Sequence, residues 1–424
     1  MKQENDIFLV WDFKKTAYFI LALVLLVAIR ITYWSSINET PFSDMADYIF
    51  WGKRWSVGDW MMKGQFWGAY KPPGVPLLYA SIFYLTNGFN IEYLKWMQLI
   101  ILVLSLTLLS VQLFKMSGTF ILSLLLILVV AFSKSSVFWS FKVGTESLAE
   151  SMIYLSLGVT IWVYRDNYNP YKYLVLALVT VFSTFIRPNL LPLVVVLVLL
   201  PLFKLFSLNK IKAYKLFFIY ILTVICLWSP WIVRNYVYCG QFVPLSTQGP
   251  YTFIWELGRI SLIEDNGQHI SVHVNQLQAD ASKRFINDCQ ANRYAMGLVK
   301  LWIKQNIKVY PELIFSRLVR YATDRQIDLT HISRFNLNPW LDRFLFDKSQ
   351  LEVVFSLISS IILSFYFVWA RIIASGILAT ILFSSLFLGD ARMFEPFIPI
   401  SIFMLLAPVI PLWKMIKQRL ESGI

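Results

Sequence analysis

The chain has 424 residues, 57% of them hydrophobic and only 15% charged, with a formal net charge of +13 and a mean hydropathy of +0.60. Soluble domains carry about 25% charged residues, so this composition excludes an ordinary soluble enzyme and predicts an all-α polytopic membrane protein. The basic surplus reads as lysine and arginine at loop ends facing membrane lipids, with some left for an anionic substrate, and not as a nucleic-acid-binding surface.

A helical span needs roughly 20 apolar residues. The apolar runs predict about ten transmembrane helices, at 16–34, 95–114, 119–140, 147–164, 173–186, 189–205, 216–232, 351–370, 374–388 and 396–413. The run 75–88 is shorter and suits an interfacial or re-entrant helix better than a crossing. Lys14 and Lys15 precede the first span, Lys204, Lys210, Lys212 and Lys215 fill one loop, and Lys414, Lys417 and Arg419 follow the last span. The positive-inside rule makes these three regions cytoplasmic, with both termini inside. The first run is long enough to span and has no cleavage site behind it. The other face then receives 35–94, the 141–146 turn, the Arg187-Pro188 turn, the loop 233–350 and the turn at 389–392. The chain divides into an N-terminal transmembrane module (1–232), a large outer loop with amphipathic helices (233–350) and C-terminal transmembrane helices (351–424). Within that loop, 296–322 has helical period with a break expected at Pro311.

The first outer loop carries the densest chemistry. Thr40 can cap a helix beginning at Pro41. From there Asp44, Asp47, Tyr48, Trp51 and Trp55 share one helix face. Two acids followed by aromatics suit a sugar site, because rings stack on sugar C–H faces while carboxylates hold hydroxyls. The alternative is two acids favouring a positive helix N-terminus. Next comes Tyr70-Lys71-Pro72-Pro73-Gly74, a stiff turn that fixes where Lys71 points. A lysine there runs against the positive-inside preference. It either snorkels or meets a phosphate. Arg187, Arg234 (followed by Asn235) and Arg392 are further cations at the outer ends of apolar runs. With Asp44, Asp47 and Glu146 they outline a polar cavity.

Three cysteines in no framework do not indicate structural disulfides, though Cys239 and Cys289 could pair outside the cytoplasm. His269 and His273, with Glu264 and Asp265, could hold a metal, but solvated loop histidines are the simpler reading. No nucleotide-binding or hydrolase motif is present.

In order along the chain stand an acid-x-x-x-Tyr motif (Asp44, Tyr48), the Lys-Pro-Pro-Gly turn, Thr145-Glu146, Arg187-Pro188, Pro230-Trp231-x-x-Arg234-Asn235 with Gly240-x-Phe242-Val243-Pro244-Leu245-Ser246-Thr247, and Arg392-x-x-x-Pro396-x-x-Pro399. This ordered set resembles the GT-C integral-membrane glycosyltransferases, in particular bacterial members of the protein O-mannosyltransferase and lipid A aminoarabinose-transferase group. The resemblance implies a GT-C-like bundle in the bacterial inner or plasma membrane, an active site on its outer face, and a polyprenyl-phosphate-linked sugar as donor. It implies inverting transfer to a hydroxyl of a glycan, lipid or protein acceptor. Asp44 matches the family's acid and would be the general base. Lys71 matches the cation that meets the donor phosphate. Asp47, Tyr48, Tyr70, Glu146, Arg187, Arg234, Asn235 and Arg392 would bind substrate. A cofactor is not required by these motifs, and a divalent cation stays open. Met393 stands where the family usually has tyrosine. Two rival readings are a flippase of lipid-linked sugars, which would need ionisable groups through the span centres, and an O-antigen-type polysaccharide polymerase.

Overall fold

The computed structural model describes residues 13–35, 41, 44–140, 142–165, 168–263, 267–323, 350–387 and 391–410. Helices dominate. They are α1 (Phe13–Ser35), α2 (Asp44–Ser56), α3 (Gly74–Leu85), α4 (Ile91–Ser117), α5 (Phe120–Phe132), α6 (Lys134–Ser140), α7 (Thr145–Arg165), α8 (Pro170–Ile186), α9 (Leu191–Leu208), α10 (Lys210–Cys239), α11 (Gly249–Leu257), α12 (Val274–Arg284), α13 (Asp288–Gln305), α14 (Tyr310–Thr323), α15 (Gln350–Tyr366), α16 (Val368–Phe387) and α17 (Ile398–Leu406). A two-stranded antiparallel hairpin, β1 (Arg259–Ile263) with β2 (His269–His273), pairs Ser261 with Ser271 at its centre.

Local chemistry sets the helix ends. The side chains of Asn90, Asn169 and Asn209 each accept from a backbone N–H in the first turn of α4, α8 and α10. Gly118 and Gly240 close α4 and α10 at φ of 68° and 62°, a left-handed geometry that costs glycine little. Pro188 ends α8 and leaves Arg187 at the break before α9.

Among the described residues, six helices are long and apolar enough to cross a membrane: Phe13–Trp34 within α1, α4, α7, the Pro188–Leu208 stretch ending in α9, α10 and α16. Shorter apolar helices are Gly74–Leu85, Phe120–Phe132, Pro170–Ile186, Val354–Tyr366 and Glu395–Leu406. This is a helical membrane bundle, but the expected number of ten spans is not fixed by it. Helix α7 lies at its centre, with 83% of its apolar window buried, whereas α10 has 17% and forms the rim. Helix α7 packs on α4, α8 and α9.

Four expectations need correction. The run 119–140 is not one helix: Ser133, with extended backbone, separates α5 from α6. The two late spans divide at Phe367, so α16 starts six residues before 374. Between α13 and α14 the break falls at 306–309, and Pro311 stands in the first turn of α14, where a missing N–H costs nothing. Finally, Cys239 and Cys289 do form a disulfide, joining the end of α10 to the start of α13. The residues of the last basic cluster, 414–419, lie outside the described residues.

The lobe following α10 has its own apolar core, built from α11, the hairpin, α12 and α13, with Phe66, Trp67 and Tyr70 of the first loop packed against it. The disulfide closes a 50-residue separation, and the chain-entropy estimate for a loop of that length is about 4 kcal/mol. Cys239→Ser/Cys289→Ser is therefore expected to lower the unfolding temperature of this lobe in detergent. Reductant should lower the wild type likewise and leave the double variant unchanged.

Candidate active site

Helix α2 is described from Asp44; Thr40, Phe42 and Ser43, on which the expected start at Pro41 depends, lie outside the described residues. Its first turn carries Asp44 and Asp47. The expected stripe is real as a shared face, but its halves do different work. Trp51 and Trp55 are buried with Met62, Ala80, Val181, Phe185 and Trp231, so they anchor the helix and do not face a sugar. Gly52 lets α3 approach: an added Cβ would lie 2.7 Å from Tyr79 Cβ.

The Pro72-Pro73 turn leads into α3 at Gly74. A Cβ on Gly74 would lie 2.6 Å from the backbone N of Ile186 and 2.6 Å from the carbonyl carbon of Phe185. This backbone contact sets the Lys71 turn against the end of α8, where Arg187 follows. Lys71 has a side chain only 2% exposed. Its Nζ lies 2.6 Å from Asp44 Oδ1 and 3.4 Å from Asp47 Oδ2. The rings of Tyr48 and Tyr70 flank it at 5.1 and 5.2 Å. Burial, reinforced by the nearby Asp44 carboxylate, pushes both phenols well above their ordinary pKa, so both keep their protons and can donate.

From the other side, α7 presents Glu146 in its first turn. Arg392 Nε donates to Glu146 Oε1 at 2.7 Å, and Arg392 Nη1 lies 3.7 Å from Asp44 Oδ2. Arg187 Nη2 lies 3.8 Å from Glu146 Oε1. The charges thus form a continuous chain, Asp47–Lys71–Asp44–Arg392–Glu146–Arg187, alternating in sign. Asp44 is the link between its two halves. Met393 Sδ accepts weak contacts from Arg187 Nη2 at 3.2 Å and Asn189 Nδ2 at 3.6 Å.

Seven of the ten expected site residues therefore converge directly (Asp44, Asp47, Tyr48, Lys71, Glu146, Arg187, Arg392), and Tyr70 borders them. Arg234 and Asn235 do not. Arg234 Nε donates to the Trp60 carbonyl at 3.1 Å and Nη1 to Asn235 Oδ1 at 2.9 Å. The guanidinium also stacks on Trp231 and Tyr238. Asn235 Nδ2 donates to the carbonyls of Val243 and Leu245. The Arg-Asn pair thus fastens the first loop and the 243–245 segment to α10: Arg234 Nε and Asn235 Nδ2 donate to backbone carbonyls, and Arg234 Nη1 to the Asn235 side chain.

Sequence reasoning missed Trp139, whose ring lies 5.3 Å from the Arg392 guanidinium, and Gln278, which donates to the Tyr70 hydroxyl at 3.0 Å. Trp139 sits in an apolar run that gave no sign of it. Gln278 comes from a lobe whose fold had to be known first.

The residues do not fit a divalent cation. An ion bridging Asp44 and Asp47 would need the place that Lys71 Nζ holds, and the space between Asp44 and Glu146 belongs to Arg392. Among the described residues no group of three or more His, Cys, Asp and Glu could hold a metal. His269 and His273 lie at opposite ends of β2, both exposed; Glu264 and Asp265 lie outside the described residues.

The helical bundle is similar in fold to solved structures. Two structures of the archaeal oligosaccharyltransferase AglB from Archaeoglobus fulgidus are similar to this chain. One, in complex with an inhibitory peptide and a dolichol-phosphate, has a TM-score of 0.50 at 13% identity; the other, in the apo form, has 0.52 at 12%. Each covers 97% of this chain and 52% of the other, so this chain spans about half the length of the structures it matches. No family model matches, and no curated protein matches.

Proposed function

We propose that the protein is a membrane glycosyltransferase that moves a sugar from a polyprenyl-phosphate donor to an acceptor hydroxyl by inverting displacement. The observation that carries this reading is the position of Asp44 between Lys71 and Arg392, a carboxylate with a cation on each side. A donor phosphate is one more anion for a chain in which every cation already faces a carboxylate. As it takes contacts from Lys71 and Arg392, Asp44 is released towards the acceptor. Asp44 then accepts the hydroxyl proton as the oxygen attacks the anomeric carbon. The bond from that carbon to the phosphate oxygen breaks, and the leaving phosphate keeps the electron pair. Lys71 and Arg392 stabilise its charge, and Tyr48 and Tyr70 are protonated donors beside it. The resemblance at the level of motifs supports the same donor class, and the dolichol-phosphate bound to AglB is of that chemical class.

Two observations support an active site on the outer face. The acid-bearing first turn of α7 is at one end of a 21-residue helix, about 30 Å from its other end. At that far end Lys204 and Lys172 donate to the carbonyls of Tyr164 and Trp162, giving the basic face expected inside. The Cys239–Cys289 bond also belongs in an oxidising compartment.

Purified protein in detergent, given a polyprenyl-phosphate sugar and an acceptor, should release polyprenyl phosphate and lengthen the acceptor by one sugar. Lipid movement without release would indicate a flippase, and transfer of a whole oligosaccharide a polymerase. Because Lys71 and Arg392 hold the places an ion would need, a strong chelator should leave the initial rate unchanged. A loss restored by added magnesium or manganese would overturn that assignment.

A further inference from the structure

The lobe following α10 reaches the site through one buried carboxylate that no motif singled out. Asp288 is fully buried at the start of α13. Its Oδ2 accepts from the Ala69 N–H at 3.0 Å and from Thr247 Oγ1 at 2.8 Å. Its own N–H donates to the Phe66 carbonyl at 3.0 Å, and the Thr247 N–H donates to the Ala69 carbonyl at 3.0 Å. One acid therefore joins three chain segments: 66–69, 247 and the first turn of α13. Two residues beyond Ala69 is Lys71.

Two neighbours hold the same loop. Tyr238 donates to the carbonyls of Gln65 and Phe66 at 2.8 and 2.9 Å and accepts from the Gly68 N–H at 3.1 Å. Cys289, next to Asp288, is bonded to Cys239, next to Tyr238. The loop before Lys71 is thus gripped from α10 and α13 together, and the disulfide ties the two grips. Burial pushes the Asp288 carboxyl up to about 6, against the hydrogen bonds from Thr247 and Ala69 that pull it down. A buried acid is costly to keep, and the Arg234 guanidinium offsets part of that cost here. This one gives up water for donors from two loops, neither of which is part of its own helix.

We propose that Asp288 is a positioning residue for Lys71: it fixes the 66–70 loop so that the lysine ammonium meets the donor phosphate. This rests on the reading of Lys71 as the phosphate-binding cation. Lys71 needs such support because its only rigid restraint on the other side is the Pro72-Pro73-Gly74 turn; a restraint on both sides places an ammonium on a flexible stem. Misplacement of a group by about 1 Å can cost on the order of 100-fold.

The test uses the full chain in detergent and undecaprenyl phosphate as the probe, with binding followed by calorimetry. Asp288→Ala should weaken binding at least about tenfold, because a displaced ammonium loses a charge-assisted contact with the phosphate. Asp288→Asn should stay within about twofold, because its amide oxygen can still accept from Ala69 and Thr247. Thr247→Val, which removes one donor and keeps the shape, should fall between them and serves if the alanine variant does not fold. In a Lys71→Ala background, Asp288→Ala or Thr247→Val should add nothing, since a residue acting through the lysine has nothing left to position. Equal additional losses in that background would overturn the proposal, and so would wild-type binding by Asp288→Ala and Thr247→Val. Wild-type binding by Lys71→Ala alone would bring down the phosphate reading itself, and this proposal with it.

Discussion

Asp44→Asn is expected to lower the transfer rate by about 10³-fold or more while the protein still folds and inserts. General base catalysis alone contributes about 10²–10⁴. The amide keeps the shape but cannot take the acceptor proton. It also breaks the link between Lys71 and Arg392, since both pairs use this one carboxylate. Asp44 and Lys71 are not both deeply buried: the Asp44 side chain is 38% exposed, so it can reach an acceptor and its loss leaves no buried cavity. Asp47 provides the control. Its oxygen is farther from Lys71, at 3.4 Å, and its side chain is 56% exposed. Asp47→Asn should therefore cost much less. Release of polyprenyl phosphate is the measurement. If Asp44→Asn turned over at the wild-type rate with a matched donor and acceptor, Asp44 is not the base.

The parts of this site that were legible in the sequence are those set by local geometry. An acid and a tyrosine four residues apart must share a helix face, and two prolines with a glycine must stiffen the turn beside Lys71. The apolar runs located the main helices for the same reason. What a shared face meets is a tertiary matter, and there the reading failed. Trp51 and Trp55 do lie in line with Asp44, yet they meet α3, α8 and α10. Arg234 was expected to bind substrate as a cation at the end of an apolar run; in the structure its Nε donates to the carbonyl of Trp60, 174 residues earlier. The Arg392–Glu146 bond spans 246 residues, beyond any period or motif. The disulfide was obscured by its isolation: two cysteines without a framework become a pair only once α10 and α13 are brought together. Serine at 133 inside a long apolar run was visible, but only the packing of α6 shows that it ends a helix. Ser135 there hydrogen-bonds the buried carboxylate of Glu395, and Ser136 that of Glu150.

Those serines bear on the second large effect, which is expected at Glu146. Helix α7 carries two buried acids one turn apart. The upper one, Glu146, holds Arg392 and Arg187; the lower one, Glu150, accepts from Ser136 and Tyr154, and Arg30 donates to the same Ser136. Removing one partner of a buried ion pair costs about 3–5 kcal/mol. Glu146→Gln should sit near the low end, because the Arg392 side chain is 35% exposed and water can take up part of its charge. The arginine freed from Glu146 then has Asp44 as its nearest acid, and a tighter Arg392–Asp44 pair withholds the base. Glu146→Gln should thus lose both stability and turnover. Glu150→Gln, whose partners touch no residue of the charged chain, should lose stability alone. Thermal unfolding in detergent and initial rates measured below the lower transition separate the two. Equal rate losses in both variants would mean that Glu146 acts only as a strut of the bundle; a rate loss confined to Glu146→Gln would mean that its charge governs how strongly Arg392 competes for Asp44.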